Sequence, residues 1–275
     1  MSEIKLDAAL DLLGRLNANE LSRNLNNLIS LEPSIAEDLL SSIDLPLKVQ
    51  QDNNREYLCC DYNRDIDSYR SPWSNEYLPK LSAEEVAESP FPSDKLREFE
   101  IIFNDSIDIY KDLYYEGGIS SAYFWDNEDG DYEDKGELSG VVLFKKKQDS
   151  ENCWDSIHVV EVLKDGQEYS YRVTTTIILN LQNNNAEITK AMNLSGNLTK
   201  QHEKSVKFNG DDKLNNFHIV NLGSLIEDIE IKMRTMLEVV YFEKTRDIFH
   251  EIKNSIPMGR NNETHKELID DLQKL

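Results

Sequence analysis

Residues 61–72, DYNRDIDSYRSP, set Asp61, Asn63, Asp65 and Asp67 at alternate positions, the spacing with which a calcium loop offers oxygens to a hard cation. Two positions deny that chemistry. Ile66 stands where the loop needs glycine for its turn, and Pro72 stands where a bidentate glutamate closes the coordination shell. These acids are instead expected to pair with Arg64 and Arg70 and to cap local turns. Cys59 and Cys60 are adjacent, too close for a CxxC redox pair. Cys153 lies five residues before His158, a spacing that on a strand sends the two side chains to opposite faces. His158, within SIHVVEV, reads as a packed or hydrogen-bonded strand histidine, and His202, His218, His250 and His265 have no metal-ligand spacing. Neither a phosphate loop nor a GxSxG turn occurs, and Gly117-Gly118 lacks the surrounding Gly and Lys pattern. No catalytic residue, metal or cofactor is expected. A calcium-controlled or purely scaffolding adaptor and a thiol enzyme using Cys59 or Cys153 are the competing classes.

The elements around these residues follow from periodicity. Leu6, Ala9, Leu10, Leu12, Leu13 and Leu16 make one apolar stripe, and Leu21, Leu25, Leu28 and Ile29 make a second. Pro33 suits a first helical turn, and Ile35, Leu39, Leu40 and Ile43 follow before Pro46. Three helices this short are unstable alone and must pack together, which suggests an antiparallel helical stalk over 1–49. Residues 50–92 are rich in Asp, Asn, Ser and Pro and read as irregular connection. A helix over 93–116 then completes a segment 50–116 of connector and helix, carrying Leu96, Phe99, Ile102, Phe103, Ile107 and Tyr110. Strands are expected at 119–125, 139–147, 154–163, 168–181 and 188–200, an antiparallel meander filling 117–220. The insert at 126–137 has seven acids against Lys135 and reads as a solvated hairpin tip.

A long helix from about Leu222 to Ile252, within a segment 221–253, would span about 45 Å and cross one face of the sheet. Pro257 and Gly259 break it, leaving a short amphipathic tail, 254–275, with Leu268, Ile269, Leu272 and Leu275 on one side. That stripe needs a partner surface, on this domain or on another protein. The fold class is therefore α+β.

A net charge of −22 argues against nucleic acid as a ligand, because phosphate binding needs clustered Lys and Arg. An acidic protein target would be repelled by the average surface, so contact needs a locally neutral or basic element or a basic partner chain. Residues 251–275 are near neutral: Lys253, Arg260, Lys266 and Lys274 against Glu251, Glu263, Glu267, Asp270 and Asp271, four minus five, or about −1. No run reaches the roughly 18 apolar residues of a membrane span, and no signal peptide is evident. Three cysteines, two of them adjacent, suit a reducing cytosol better than a disulfide framework.

Several segments together resemble one family, the beta subunits of F-actin capping protein. They are LDAALDLLGRL (6–16), PSIAEDLLSSIDLPLK (33–48), YLCCDYNRDIDSYRSPWSN (57–75), YYEGGISSAYFWD (114–126), CWDSIHVVEV (153–162), MNLSGNLTKQ (192–201), NLGSLIEDIEIKMR (221–234) and YFEKTRDI (241–248). The resemblance implies an obligate heterodimer with a homologous alpha subunit, the two sheets joined into one. It implies capping of actin filament barbed ends by C-terminal tentacles, with Leu268, Ile269, Leu272, Leu275, Lys266 and Lys274 on actin, aided by a basic patch largely from alpha. This tail ends at Leu275, short of the longer family tails. Regulatory proteins with capping-protein-interaction peptides are expected to contact Arg15, Asp44 and Tyr77. Phosphoinositides release the family from filament ends, and no basic cluster here accounts for that alone, since Lys145-Lys146-Lys147 lies near the acidic insert. The implied location is the cytoplasm, in the actin cytoskeleton of cortex and patches. A non-catalytic scaffold or adaptor using the same stalk and tail surfaces is the alternative.

Overall fold

The computed structural model describes residues 2–15, 20–36, 39, 46–127, 132–146, 153–182, 193–210, 213–239 and 246. Helices α1 (Ser2–Arg15) and α2 (Leu21–Leu31) bury Ala9 and Leu25 with Ile35 and Leu39, and Leu6, Leu10, Leu13, Leu28 and Ile29 flank that cluster. Of the expected third helix, Pro33–Ile35 forms a 3-10 turn. Ala36 and Leu39 are helical, and Leu40 and Ile43 lie outside the described residues.

Residues 50–92 are more ordered than their composition suggests. Strands β1 (Lys48–Asp52) and β2 (Arg55–Cys59) form a hairpin, and β3 (Arg64–Asp65), β4 (Ser68–Arg70) and β5 (Tyr77–Leu78) form a small antiparallel sheet before the short helix α3 (Ala83–Glu88). The reason is side-chain bonding. Asn63 accepts the Cys60 N–H and donates to the carbonyls of Leu58 and Arg70, tying β2 to β4 without an apolar stripe.

The centre is one five-stranded antiparallel sheet in the order β10-β9-β8-β7-β6, a meander as expected. Its strands are β6 (Ile119–Trp125), β7 (Leu138–Lys145), β8 (Cys153–Asp165), β9 (Glu168–Gln182) and β10 (Asn193–Lys207). β10 runs on to Lys207, beyond the end that the sequence pattern indicates, because its register follows β9 residue for residue from Asn193↔Gln182 to Lys207↔Glu168, and the expected residues 188–192 lie outside the described residues.

Helix α4 (Asp94–Tyr114) lays Leu96, Phe99, Phe103 and Ile107 on one face of this sheet. There they meet Phe124, Val142, Phe144, Val160, Tyr171 and Val173. Helix α6 (Leu214–Leu237) adds Leu222, Leu225 and Ile226 to the same core. Each such side chain contributes roughly 1.5–3 kcal/mol by leaving water. The helix starts at Leu214, not near Leu222, because Leu214, Phe217 and Ile219 also pack on that core despite the intervening asparagines, and Asn221 bonds back to the Phe217 carbonyl. The opposite face buries Tyr123, Val141, Leu143 and Ile157 beneath Leu47 and Leu58.

The chain divides into two compact units, Met1–Glu230 and Ile231–Leu275. In the second, the last turns of α6 bury Met233 and Leu237, Glu238 and Val239 follow in a π turn, and Arg246 is helical.

The two ends of the acidic insert are anchored rather than solvated, while Glu133 and Asp134 are exposed as expected and residues 128–131 lie outside the described residues. Asp126 accepts the backbone N–H groups of Ser93 and Tyr132 and the Ser93 hydroxyl, so it holds a negative charge at the start of α4, where the helix dipole favours one. Short helix α5 (Tyr132–Lys135) buries Tyr132. Glu137 is buried and accepts the Lys164 N–H. Gly136, at φ 72°, ends the turn where any Cβ would strike the Tyr169 hydroxyl at 2.8 Å.

His218 on α6 is fully buried among Phe99, Tyr132 and Tyr169, with Nδ1 2.8 Å from the Tyr171 hydroxyl, and burial lowers its pKa from 6.5 to about 4. The unfolded chain takes up this proton at pH values where the folded chain refuses it. Stability is therefore full above pH 6.5 and drains away as pH falls toward about 4, by on the order of 3 kcal/mol. Thermal melts across that window should show this limb flattened in His218→Gln relative to the parent; parallel curves would exclude the assignment.

Candidate functional site

A sheet exposes two edges, and each edge is a row of backbone donors and acceptors ready to pair with another chain. Here the two edges differ. On β6, the Asn104 side chain of α4 imitates a neighbouring strand: Oδ1 accepts the Ala122 N–H and Nδ2 donates to the Ala122 carbonyl, both at 2.9 Å. One helical turn earlier, Glu100 Oε2 accepts the Phe124 N–H at 2.8 Å. Four residues along a helix advance about 6 Å and two along a strand about 6.6 Å, so side chains at i and i+4 meet the alternate outward residues of a strand. Glu100 and Asn104 are therefore spaced to close that edge, and both are fully buried.

Burying Glu100 requires partners, and the 64–78 sheet supplies them. Arg70 is buried beside it and makes two parallel bonds at 2.8 Å, from Nη1 to Oε1 and from Nη2 to Oε2. Arg97 pairs with the same carboxylate and donates to the carbonyls of Pro72 and Trp73. Asn75, at φ 59°, accepts a further bond from Arg70, whose guanidinium lies over the Tyr123 ring. Burial alone would lower the Arg70 pKa; the Glu100 carboxylate outweighs it and raises the pKa. Arg70 does not pair with the acids of 61–67, as the sequence reading had it. Only Arg64 does, reaching Asp61 at 4.0 Å and Asp67 at 3.3 Å. The seal ends at Ser120, which with Asp108, Lys111 and Arg55 lines a polar pocket of about 280 Å³.

On β10, no strand among the described residues pairs with the side away from β9. The strand is long, polar and mostly exposed from Asn197 onward.

Tyr77, expected at a peptide surface, is buried on β5; its hydroxyl donates to the Pro90 carbonyl at 2.9 Å and its ring meets Phe91 edge-on. Burial raises its pKa. With Tyr62, Phe91, Phe124 and Trp125 it lines a pocket of about 240 Å³, where Tyr62 stacks on Trp125. Arg15 ends α1. Asp44, Lys266, Leu268, Ile269, Leu272, Lys274 and Leu275 lie outside the described residues.

Burial pushes the Cys59 and Cys153 thiols up to about 12 and so disfavours their thiolates. His158 is buried between Thr175, 2.7 Å from Nδ1, and Glu230, 3.2 Å from Nε2. No cluster of metal-ligating side chains occurs among the described residues, and no described helix is long and apolar enough to cross a membrane. Sequence reading passed over Glu100, Asn104 and Arg97. The available signal was two polar residues four apart, each next to a core position of an apolar helix face.

The described residues thus form an α+β protein with one sheet edge sealed by side chains of α4 and the other edge without a described strand beside it. The solved homodimeric actin capping protein alpha subunit from Plasmodium berghei shares the fold, with a TM-score of 0.55 at 16% identity, covering 94% of this chain and 98% of that one. The model of the family described as F-actin capping protein, beta subunit, matches residues 6–249, and the chain belongs to that family. Curated F-actin-capping protein beta subunits from Candida glabrata (56% identical; 98% of this chain, 99% of the relative) and Saccharomyces cerevisiae (54%; 100% of both) match it end to end. The Caenorhabditis elegans protein of the same name is 44% identical over 93% of this chain and 91% of its own length.

Asn104→Ala should leave the Ala122 N–H and carbonyl buried without partners and cost about 2–4 kcal/mol in denaturant unfolding, with faster exchange at the Ala122 amide. A loss within experimental error would show that the edge is held closed by other groups.

Proposed function

We propose that this chain is the beta half of a heterodimer that binds the barbed, fast-growing ends of actin filaments and blocks subunit addition and loss, independently of calcium and without catalysis. The observation that carries the reading is the open β10 edge opposite a sealed β6 in a chain of this family. A homologous alpha subunit with the same sheet supplies the strand that continues β10, and burying that edge makes the pairing obligate. The alpha chain also offsets the charge of −22, which by itself would repel an acidic filament.

Contact with the filament end falls to the tail. Leu268, Leu272 and Leu275, at i, i+4 and i+7, with Ile269 beside them, present an apolar stripe for a hydrophobic groove of actin, and Lys266 and Lys274 keep the segment near neutral. Arg15, Asp44 and Tyr77 are the proposed contacts for regulatory peptides, and the aromatic pocket at Tyr77 supports that role. Phosphoinositides are proposed as a release signal acting mainly on the alpha side. The location is the cytoplasm, in the actin-rich cortex and patches.

Removing residues 263–275 from the co-purified heterodimer should raise the concentration needed to cap pyrene-actin growth about tenfold or more, as expected when several apolar anchors are lost. The complex should remain a one-to-one heterodimer. Capping at unaltered affinity would remove the tail from the filament contact.

A further inference from the structure

The open edge strand carries a charge pattern opposite in sign to the chain as a whole. β10 holds Lys200, Lys204 and Lys207 against Glu203, three minus one, or +2, in a chain of net −22. Lys200 and Lys204 are exposed and stand opposite Thr175 and Tyr171 of β9, on the face of the sheet that carries the helices. No described carboxylate pairs with either one, whereas Lys207 reaches Glu168 at 3.6 Å. On the other face a row of charges runs outward across three strands in register, Glu161 on β8, Arg172 on β9 and Glu203 on β10. Arg172 bonds both acids, at 2.8 and 2.6 Å.

Side chains directly opposite on neighbouring antiparallel strands stand about 5 Å apart, where unlike charges help and like charges oppose pairing. A strand added beyond β10 would continue both rows. It would place carboxylates beside Lys200 and Lys204 and a cation beside Glu203. Resting on the assembly reading above, we infer that the alpha strand pairing with β10 is antiparallel and carries the pattern acid, base, two residues of any kind, acid. The acid beside Lys204 comes first, the base beside Glu203 next, and the acid beside Lys200 four places on. The same row rejects a second copy of this chain. Its β10 offers one carboxylate, Glu203, against three lysines, and that carboxylate is already held by Arg172. Each copy also brings a charge of −22 to the encounter. Lysines on an edge strand deter indiscriminate pairing in general, and here they also select the partner.

The test uses this chain with both lysines reversed, Lys200→Glu with Lys204→Glu, mixed with the alpha subunit, and a milder pair, Lys200→Gln with Lys204→Gln. In about 0.05 M salt the reversal should weaken association roughly a hundredfold and the neutral pair roughly tenfold, with both gaps narrowing toward 0.5 M salt as exposed charges are screened. If the reversed chain does not fold, the neutral pair carries the measurement alone. A parent complex that neither variant weakens overturns the charge pattern and leaves the assembly reading standing. A parent chain that binds no alpha subunit overturns the assembly reading and this inference with it.

Discussion

A side chain standing in for a strand is the interaction around which this fold is arranged. Asn104 meets both backbone groups of Ala122, and Glu100 meets the next outward N–H. A buried carboxylate without cations would be far too costly, so Arg70 and Arg97 must be brought to it. Bringing them fixes the small sheet of β3 to β5, the turn at Asn75 and the position of Trp73, whose indole N–H donates to the Glu56 carbonyl. The polar stretch between β1 and α3 is thus the support of one ion cluster, and the cluster is the support of one closed edge.

Closing one edge gives the sheet a direction. In the proposed assembly the sheet grows beyond β10, where the exposed Lys200 and Lys204, set against the acidity of the rest, would make the chemistry of the next strand specific. The chain belongs to the beta-subunit family of F-actin capping protein, and the proposed role at a filament end rests on this one-sided architecture.

Much of the fold was legible in the residues. Strands β6 to β9 follow from β-branched and aromatic runs between Gly and Asp turns, and α4 from Leu96, Phe99, Phe103 and Ile107. Hydrophobic periodicity reports what faces a core, and those elements face one. It is silent on elements held by polar side chains. Hence β1 to β5 were read as irregular connection, although the side chains of Asn63 and Arg70 tie this region together. The same limit explains the acidic insert, whose Asp126 and Glu137 look like solvated charges until their N–H partners, distant in sequence, are known. At the candidate site, the DYNRD and SYRSPWSN segments marked the family, but Arg70's partner lies 30 residues away, beyond any local reading.

The central claim is that β10 is the edge at which a second chain completes the sheet. Amide hydrogen exchange on the purified complex with the alpha subunit tests it most directly. Alternate β10 amides, those directed away from β9, should then exchange as slowly as those bonded to β9. Rapid exchange at these alternate positions within an intact complex would place the partner elsewhere and contradict the account.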